Sequence, residues 1–148
     1  MTENPYRTLP CGSLRAEHAG TTVSVAGWVH ARRDHGGLYF FDLRDRSGMC
    51  QVVAEPQNVD VFKAAGELGS EYVVSVSGKV RARLAGRENP NLPTGAVELE
   101  AAQIRLLNVA KPPPFPVDDE SQPGEETRLK YRFVDLRRPR MLKNLTMR

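Results

Sequence analysis

The chain has no run of eighteen apolar residues, so no segment of it reads as a membrane-crossing helix. Its first residues, Met1-Thr-Glu-Asn-Pro5, carry no basic-then-apolar export signal. Cysteine is scarce. Cys11 and Cys50 stand far apart in sequence without Cys-x-x-Cys spacing, and the three histidines do not cluster with them. That excludes a zinc ribbon or finger and points to free thiols in a reducing compartment, hence to a cytoplasmic protein. No glycine-rich phosphate loop and no Ser/His/Asp arrangement is present, so no catalytic residue and no metal ligand is assigned.

What is present suits one domain and a tail: 148 residues, 40% of them apolar and 26% charged, with a formal net charge of +3. Residues 22–32 alternate, with Val23 and Val25 on one side, and Gly27 breaks the alternation as a bulge or bend would. Residues 38–45 alternate again. If Tyr39, Phe41 and Leu43 point inward, then Phe40, Asp42 and Arg44 point outward. After a turn at 46–48, residues 49–54 put Cys50, Val52 and Ala54 inside and Gln51 outside. Apolar residues at 59, 62, 65 and 68 have helical spacing behind an Asn58 cap. Residues 71–83 form a fourth strand with Val74, Val76, Val80 and Ala82 inward; Ser75, Ser77, Lys79, Arg81 and Arg83 then face out. A Gly/Pro/Asn-rich loop over 84–95 precedes a fifth strand at 96–101, which 104–109 extends or follows. Three strands, a helix and two strands predict an all-β fold with one short helix, a five-stranded barrel of the oligonucleotide/oligosaccharide-binding (OB) kind. An SH3-like barrel or an open α+β sheet fits the same order.

The outer face carries the functional signal. Phe40 offers a stacking surface for a base, unless the strand phase is inverted and it is core. Gln51 can donate to and accept from a base edge, and Glu98 can accept from exocyclic amino groups; each alone reads better as a solvated strand residue. Arg33 and Arg83 stand at strand ends, where a fork of donors reaches bases or phosphates. The run 79–87 holds four cations and no acid, which also suits an edge strand that repels pairing. His30 and His35 read as solvated or ligand-contacting rather than as bases. It is the concurrence of these residues on one face that points to nucleic acid.

Beyond the strands, Lys111-Pro-Pro-Pro-Phe-Pro116 is stiff and extended, and residues 118–126 hold five acids and no base. Residues 128–148 then carry eight Lys/Arg against one Asp, and a helix begins at 141–148 after Pro139. The expected organisation is a barrel over 1–109, a Pro-rich and acidic linker over 110–127, and the incomplete start of another domain over 128–148, cut from a longer chain.

Five segments carry a resemblance: Gly27-Trp-Val-His-Ala-Arg-Arg-Asp-His-Gly-Gly37, Phe41-Asp-Leu-Arg-Asp-Arg-Ser-Gly-Met-Cys-Gln51, Val80-Arg-Ala-Arg83, Thr94-Gly-Ala-Val-Glu98 and Leu129-Lys-Tyr-Arg-Phe-Val-Asp-Leu-Arg-Arg-Pro139. In order and end to end, they resemble the N-terminal part of bacterial-type aspartyl-tRNA synthetases. The last segment matches the opening of the class II catalytic domain. The resemblance implies that the barrel binds the anticodon. Phe40 would stack on its central base, Arg33 and Gln51 would bond that uridine, and Glu98 and Arg83 would approach the flanking bases. It implies tRNA(Asp) as partner, with tRNA(Asn) an open alternative. His35 stands where tRNA(Asp)-restricted enzymes tend to have Leu, and Gly86 where some carry a longer residue. The parent would be a homodimer using ATP and Mg; this chain, lacking the motifs that bind ATP and aspartate, would be inactive alone and monomeric. The competing readings are a free-standing single-strand-binding barrel and a protein-interaction barrel.

Overall fold

The computed structural model describes residues 4–148, which divide into two compact units, up to Ala110 and from Lys111 to Arg148. In the first, five strands close into a barrel in the order β1-β2-β3-β5-β4: β1 (Thr22–His35), β2 (Leu38–Asp45), β3 (Gly48–Ala54), β4 (Val73–Ala82) and β5 (Val97–Asn108). β1 serves two neighbours. Its residues from Thr22 to Trp28 pair with β4, and those from Trp28 to His35 pair with β2. The parallel contact of β3 with β5 (Val52 opposite Leu99) completes the closure. Closure joins the two edges of the sheet along Val52–Val53 and Leu99–Glu100.

The alternation anticipated in the strands sets the core. Val23, Val25, Phe41, Leu43, Cys50, Val52, Ala54, Val74, Val76, Val80, Val97 and Leu99 are all buried in one cluster, and Tyr39 packs partly buried against it. Each of the valine, leucine and phenylalanine side chains contributes about 1.5–3 kcal/mol. Four details differ from the sequence expectation. Ala82, at the very end of β4, is exposed, because the alternation outlasts the barrel rim. Ser75 is buried rather than outward, its hydroxyl donating to the Tyr6 carbonyl at 2.7 Å beneath the N-terminal segment. β4 begins at Val73 rather than at residue 71, whereas residues 104–108 extend the fifth strand, one of the two courses expected, in a continuous β5 whose register with β4 shifts at Ser77/Gly78.

The fourth difference matters most. The bulge in β1 lies at His30, not at Gly27: the register steps from Val29 opposite Leu43 to Ala31 opposite Asp42. Before the bulge, Val23, Val25 and Val29 face in; after it, Ala31 and Arg33 share the outer face with Asp42 and Phe40. An extra residue reverses the two-residue period. Gly27 has a different task. A Cβ there would stand 2.3 Å from the Arg44 carbonyl oxygen, so the crossing of β1 over β2 needs a bare backbone.

Helix α1 (Val59–Gly66) lies between β3 and β4 in sequence and packs against β2, β3 and β5. The Asn58 side chain accepts from the Val61 amide at 3.3 Å, as expected of its cap. The buried face is Val61, Ala65 and Leu68; Val59, expected on it, is exposed because it occupies the first turn. Phe62 instead turns to Tyr39, ring centroids 4.6 Å apart.

The N-terminal segment is tied to the barrel through Asp45. Its Oδ2 accepts the Cys11 amide at 2.9 Å and Arg7 Nη1 at 3.4 Å, while Oδ1 accepts the Ser47 amide at 2.7 Å. Burial pushes its pKa up, but the Ser47 hydroxyl, the Cys11 and Ser47 amides and the Arg7 charge together hold it below the ordinary value. A carboxylate depressed in the folded state contributes stability that is present above its unfolded pKa of about 3.9 and is lost as pH falls through the folded value. Asp45→Asn is therefore expected to cost about 2 kcal/mol at pH 7. The difference from wild type should shrink below about pH 4. Urea unfolding at pH 7 and pH 3 measures both; an unchanged difference at the two pH values contradicts the ionic role.

In the second unit α2 (Glu125–Lys130), α3 (Arg132–Asp135) and α4 (Pro139–Thr146) are short. The expected C-terminal helix starts at Pro139 itself, whose missing N–H costs nothing in the first turn. The fully buried Asp135 carboxylate meets Arg128 at 3.0 Å, Arg132 at 3.0 Å and Arg138 at 3.5 Å. The Arg128 hydrogen bond, above all, holds its pKa down.

Candidate nucleic-acid interface

The outer face of β1, β2, β3, β5 and β4 collects most of the residues singled out in the sequence. Strand register places Arg33 opposite Phe40 and Asp42 opposite Gln51. Phe40 is half-buried and lies outside the core cluster, so the strand phase read from the alternation is the one adopted. Its register partner Val53 is fully buried yet also outside that cluster, on the same outer face as Phe40.

A hydrogen-bonded relay runs round the barrel beside Phe40. Arg33 forks onto Asp42 (Nη1–Oδ2 2.8 Å, Nη2–Oδ1 3.0 Å), and its Nη2 also reaches Gln51 Oε1 at 3.4 Å. Gln51 Nε2 donates to Glu98 Oε2 at 2.8 Å. Glu98 Oε1 accepts Arg81 Nε at 2.8 Å, and Arg81 Nη1 bonds Glu55 Oε1 at 2.7 Å and Glu100 Oε2 at 3.2 Å. Burial works against the Arg81 charge, but the Glu55 and Glu98 carboxylates outweigh it and hold its pKa above the usual arginine value. Glu98 is 8% exposed, and a carboxylate so enclosed persists only with such partners.

Three expected site residues lie outside this relay. Arg83 bonds the Val97 carbonyl through Nε at 3.1 Å and stays partly exposed past the end of β4. His35 is exposed at the end of β1, before the Gly36-Gly37 turn with φ of 64° and 76°. Gly86 is exposed in the 84–95 loop at φ 79°, with open space where a Cβ would point. Asp42, Arg81 and Glu55 belong to the relay and were not picked as site residues. Alternation puts Asp42 and Arg81 outward, but only register shows what they touch; Glu55, just past β3, gives no local signal. His30, the bulge residue, meets Arg44 (Nδ1–Nη1 2.8 Å), which in turn pairs with Glu71 at 2.7 Å.

An aromatic ring beside a row of donors and acceptors on a closed five-stranded barrel defines an oligonucleotide-binding OB module. The chain belongs to the OB-fold nucleic acid binding domain family, whose model matches residues 23–107. It is 54% identical over 145 residues to the aspartate–tRNA(Asp/Asn) ligase of Rubrobacter xylanophilus, covering 98% of this chain but 24% of that protein. The chain thus spans about a quarter of that curated relative. Among solved structures it is similar to asparaginyl-tRNA synthetase from Pyrococcus horikoshii (28% identity, TM-score 0.72, 88% of this chain and 30% of that one). It is also similar to the OBody AM2EP06 bound to hen egg-white lysozyme (28%, TM-score 0.62, 72% and 98%). The expected OB architecture and the resemblance to aspartyl-tRNA synthetases both hold. No helix among the described residues is long and apolar enough to cross a membrane.

Proposed function

We propose that this chain is the anticodon-binding part of an aspartate–tRNA ligase that acts in cytoplasmic protein synthesis. The observation that carries the reading is the Arg33–Gln51–Glu98 relay set beside Phe40 on the outer face of the barrel. A base stacked on Phe40 presents its edge to Gln51 and Arg33, while Glu98 and Arg83 reach toward its neighbours. The parent would activate aspartate with ATP and magnesium and transfer it to the tRNA, as a homodimer; residues 128–148 would open its catalytic domain after a linker at 110–127. No residue of this chain is assigned a role in that chemistry, so alone it would bind RNA without charging it.

Binding of anticodon stem-loops to the chain tests the proposal. A GUC loop should bind at least roughly tenfold more tightly than the same loop with its central U replaced by C, the discrimination expected of one bidentate base contact. Affinity should fall as salt rises, because phosphates are contacted. Equal affinity for both loops would mark a general single-strand binder, and no affinity for either a protein-interaction barrel. A GUU loop, the tRNA(Asn) anticodon, reads the role of His35 and Gly86. Affinity equal to GUC supports acceptance of both tRNAs, and strict rejection of GUU sinks it.

A further inference from the structure

We propose that Arg81, which lies a strand away from the base-reading residues, is a positioning residue that sets which base Gln51 accepts. The inference rests on the reading of Gln51 as a base reader and adds the reason for its selectivity.

A glutamine side chain can present its amide either way round, and each way suits a different base edge. Here the neighbours leave one choice. A carboxylate only accepts hydrogen bonds and a guanidinium only donates them. Glu98 therefore takes Gln51 Nε2, at 2.8 Å, and Arg33 faces Oε1, at 3.4 Å. What remains free on Gln51 is one N–H on the Glu98 side and one lone pair of Oε1, with Arg33 donors beyond it. In order along the edge this is donor, acceptor, donor. Its complement is acceptor, donor, acceptor: the O4, N3–H and O2 edge of uracil. Cytosine offers an N3 lone pair where Oε1 already presents one, and is refused.

The choice holds only while Glu98 is ionised and aimed at Gln51, and Arg81 secures both. Its Nε donates to the other oxygen of the same carboxylate at 2.8 Å, and register places Arg81 directly opposite Glu98. Arg81 is fixed in turn by Glu55 at 2.7 Å and Glu100 at 3.2 Å. Without the guanidinium, the enclosed Glu98 keeps Gln51 as its one polar side-chain partner among the described residues. A carboxylate left so either protonates or swings to water. In both cases Gln51 keeps only the longer 3.4 Å contact with Arg33 to orient it, and its amide turns over more readily to accept cytosine.

The readout is the ratio of affinities for GUC and GCC stem-loops, not affinity alone. Arg81→Met should bring the ratio from roughly tenfold or more down to about two- to threefold. The salt dependence of binding should be unchanged, since Arg81 is not assigned to a phosphate. Arg81→Lys, which can still reach Glu98 with one donor, should restore part of the ratio. A ratio that stays at the wild-type value in Arg81→Met overturns the proposal, whatever happens to overall affinity. So does a loss of one unit of salt slope with the ratio intact, which makes Arg81 a phosphate contact. Should Arg81→Met not fold, Glu55→Gln loosens Arg81 from the surface side without touching Glu98. A reduced ratio there supports the proposal and an unchanged one overturns it. A wild-type chain that does not distinguish the two loops defeats the underlying reading of Gln51, a result separate from a discriminating wild type with an equally discriminating variant.

Discussion

Phe41→Ala is expected to cost about 3–5 kcal/mol of folding stability, whereas Phe40→Ala, one residue earlier, should cost about 1 kcal/mol or less. In stem-loop binding the order reverses, with Phe40→Ala weakening the GUC loop by about 1–3 kcal/mol. Phe41 is fully buried among the barrel's core residues, and the wall around it is built from four other strands that cannot all collapse into the void. A domain of this size has about 5–15 kcal/mol in total, so Phe41→Ala should lower the melting temperature by at least about 10 °C. Phe40 stands on the other side of the same strand, half-buried opposite Arg33 and Val53 and outside the core cluster. Thermal melts by circular dichroism and stem-loop titrations of the two variants give the four numbers. If Phe40→Ala melts as early as Phe41→Ala, Phe40 is structural and the stacking role is lost.

The second large effect is expected at Gly27. Its φ is not in the left-handed region, so the objection to a side chain is space alone. The Cβ of Gly27→Ala would stand 2.3 Å from the Arg44 carbonyl oxygen and 2.9 Å from its carbon, both backbone atoms of a strand held by its own ladder. Neither atom can rotate away as a side chain would. Overpacking of this kind costs about 1–3 kcal/mol. It also pushes β2 from β1 at one end of the same pairing that, further along, aligns Arg33 with Phe40. Gly27→Ala should thus lower both urea stability and GUC affinity. Gly36→Ala offers a contrast: nothing lies within 4 Å of its Cβ, and its penalty comes from the positive φ of 64° in an exposed turn. Wild-type stability in Gly27→Ala would mean that β1 and β2 separate there without loss.

How much of this was legible beforehand differs between strand and site. The inward sets of β2 and β3 were legible because alternation is a property of neighbours in sequence, and a half-buried strand advertises it. The same alternation exposed Phe40 among three consecutive aromatics. It misled at Ala82, where the period continues past the rim, and at Ser75, which a distant N-terminal segment covers. In α1 the helical period was right at Ala65 and Leu68, but Val61 rather than Val59 continues the buried face, since Val59 belongs to the solvated first turn. Arg33 faces outward with an extra residue at Gly27 or at His30, because either reverses the period once before it. A bulge at Gly27 would have turned Val29 out, and Val29 is 1% exposed.

By itself, then, the sequence determined which segments are strands, which side of most of them is apolar, and that cations, a glutamine and a glutamate share the other side. Only the tertiary structure decided that β1 reverses phase at His30 and that Arg33, Gln51, Glu98 and Arg81 join into one relay. The reason is physical. Alternation is written within two residues of itself, but a hydrogen-bond partner across a barrel depends on register and closure, which are set by contacts between strands far apart in the chain.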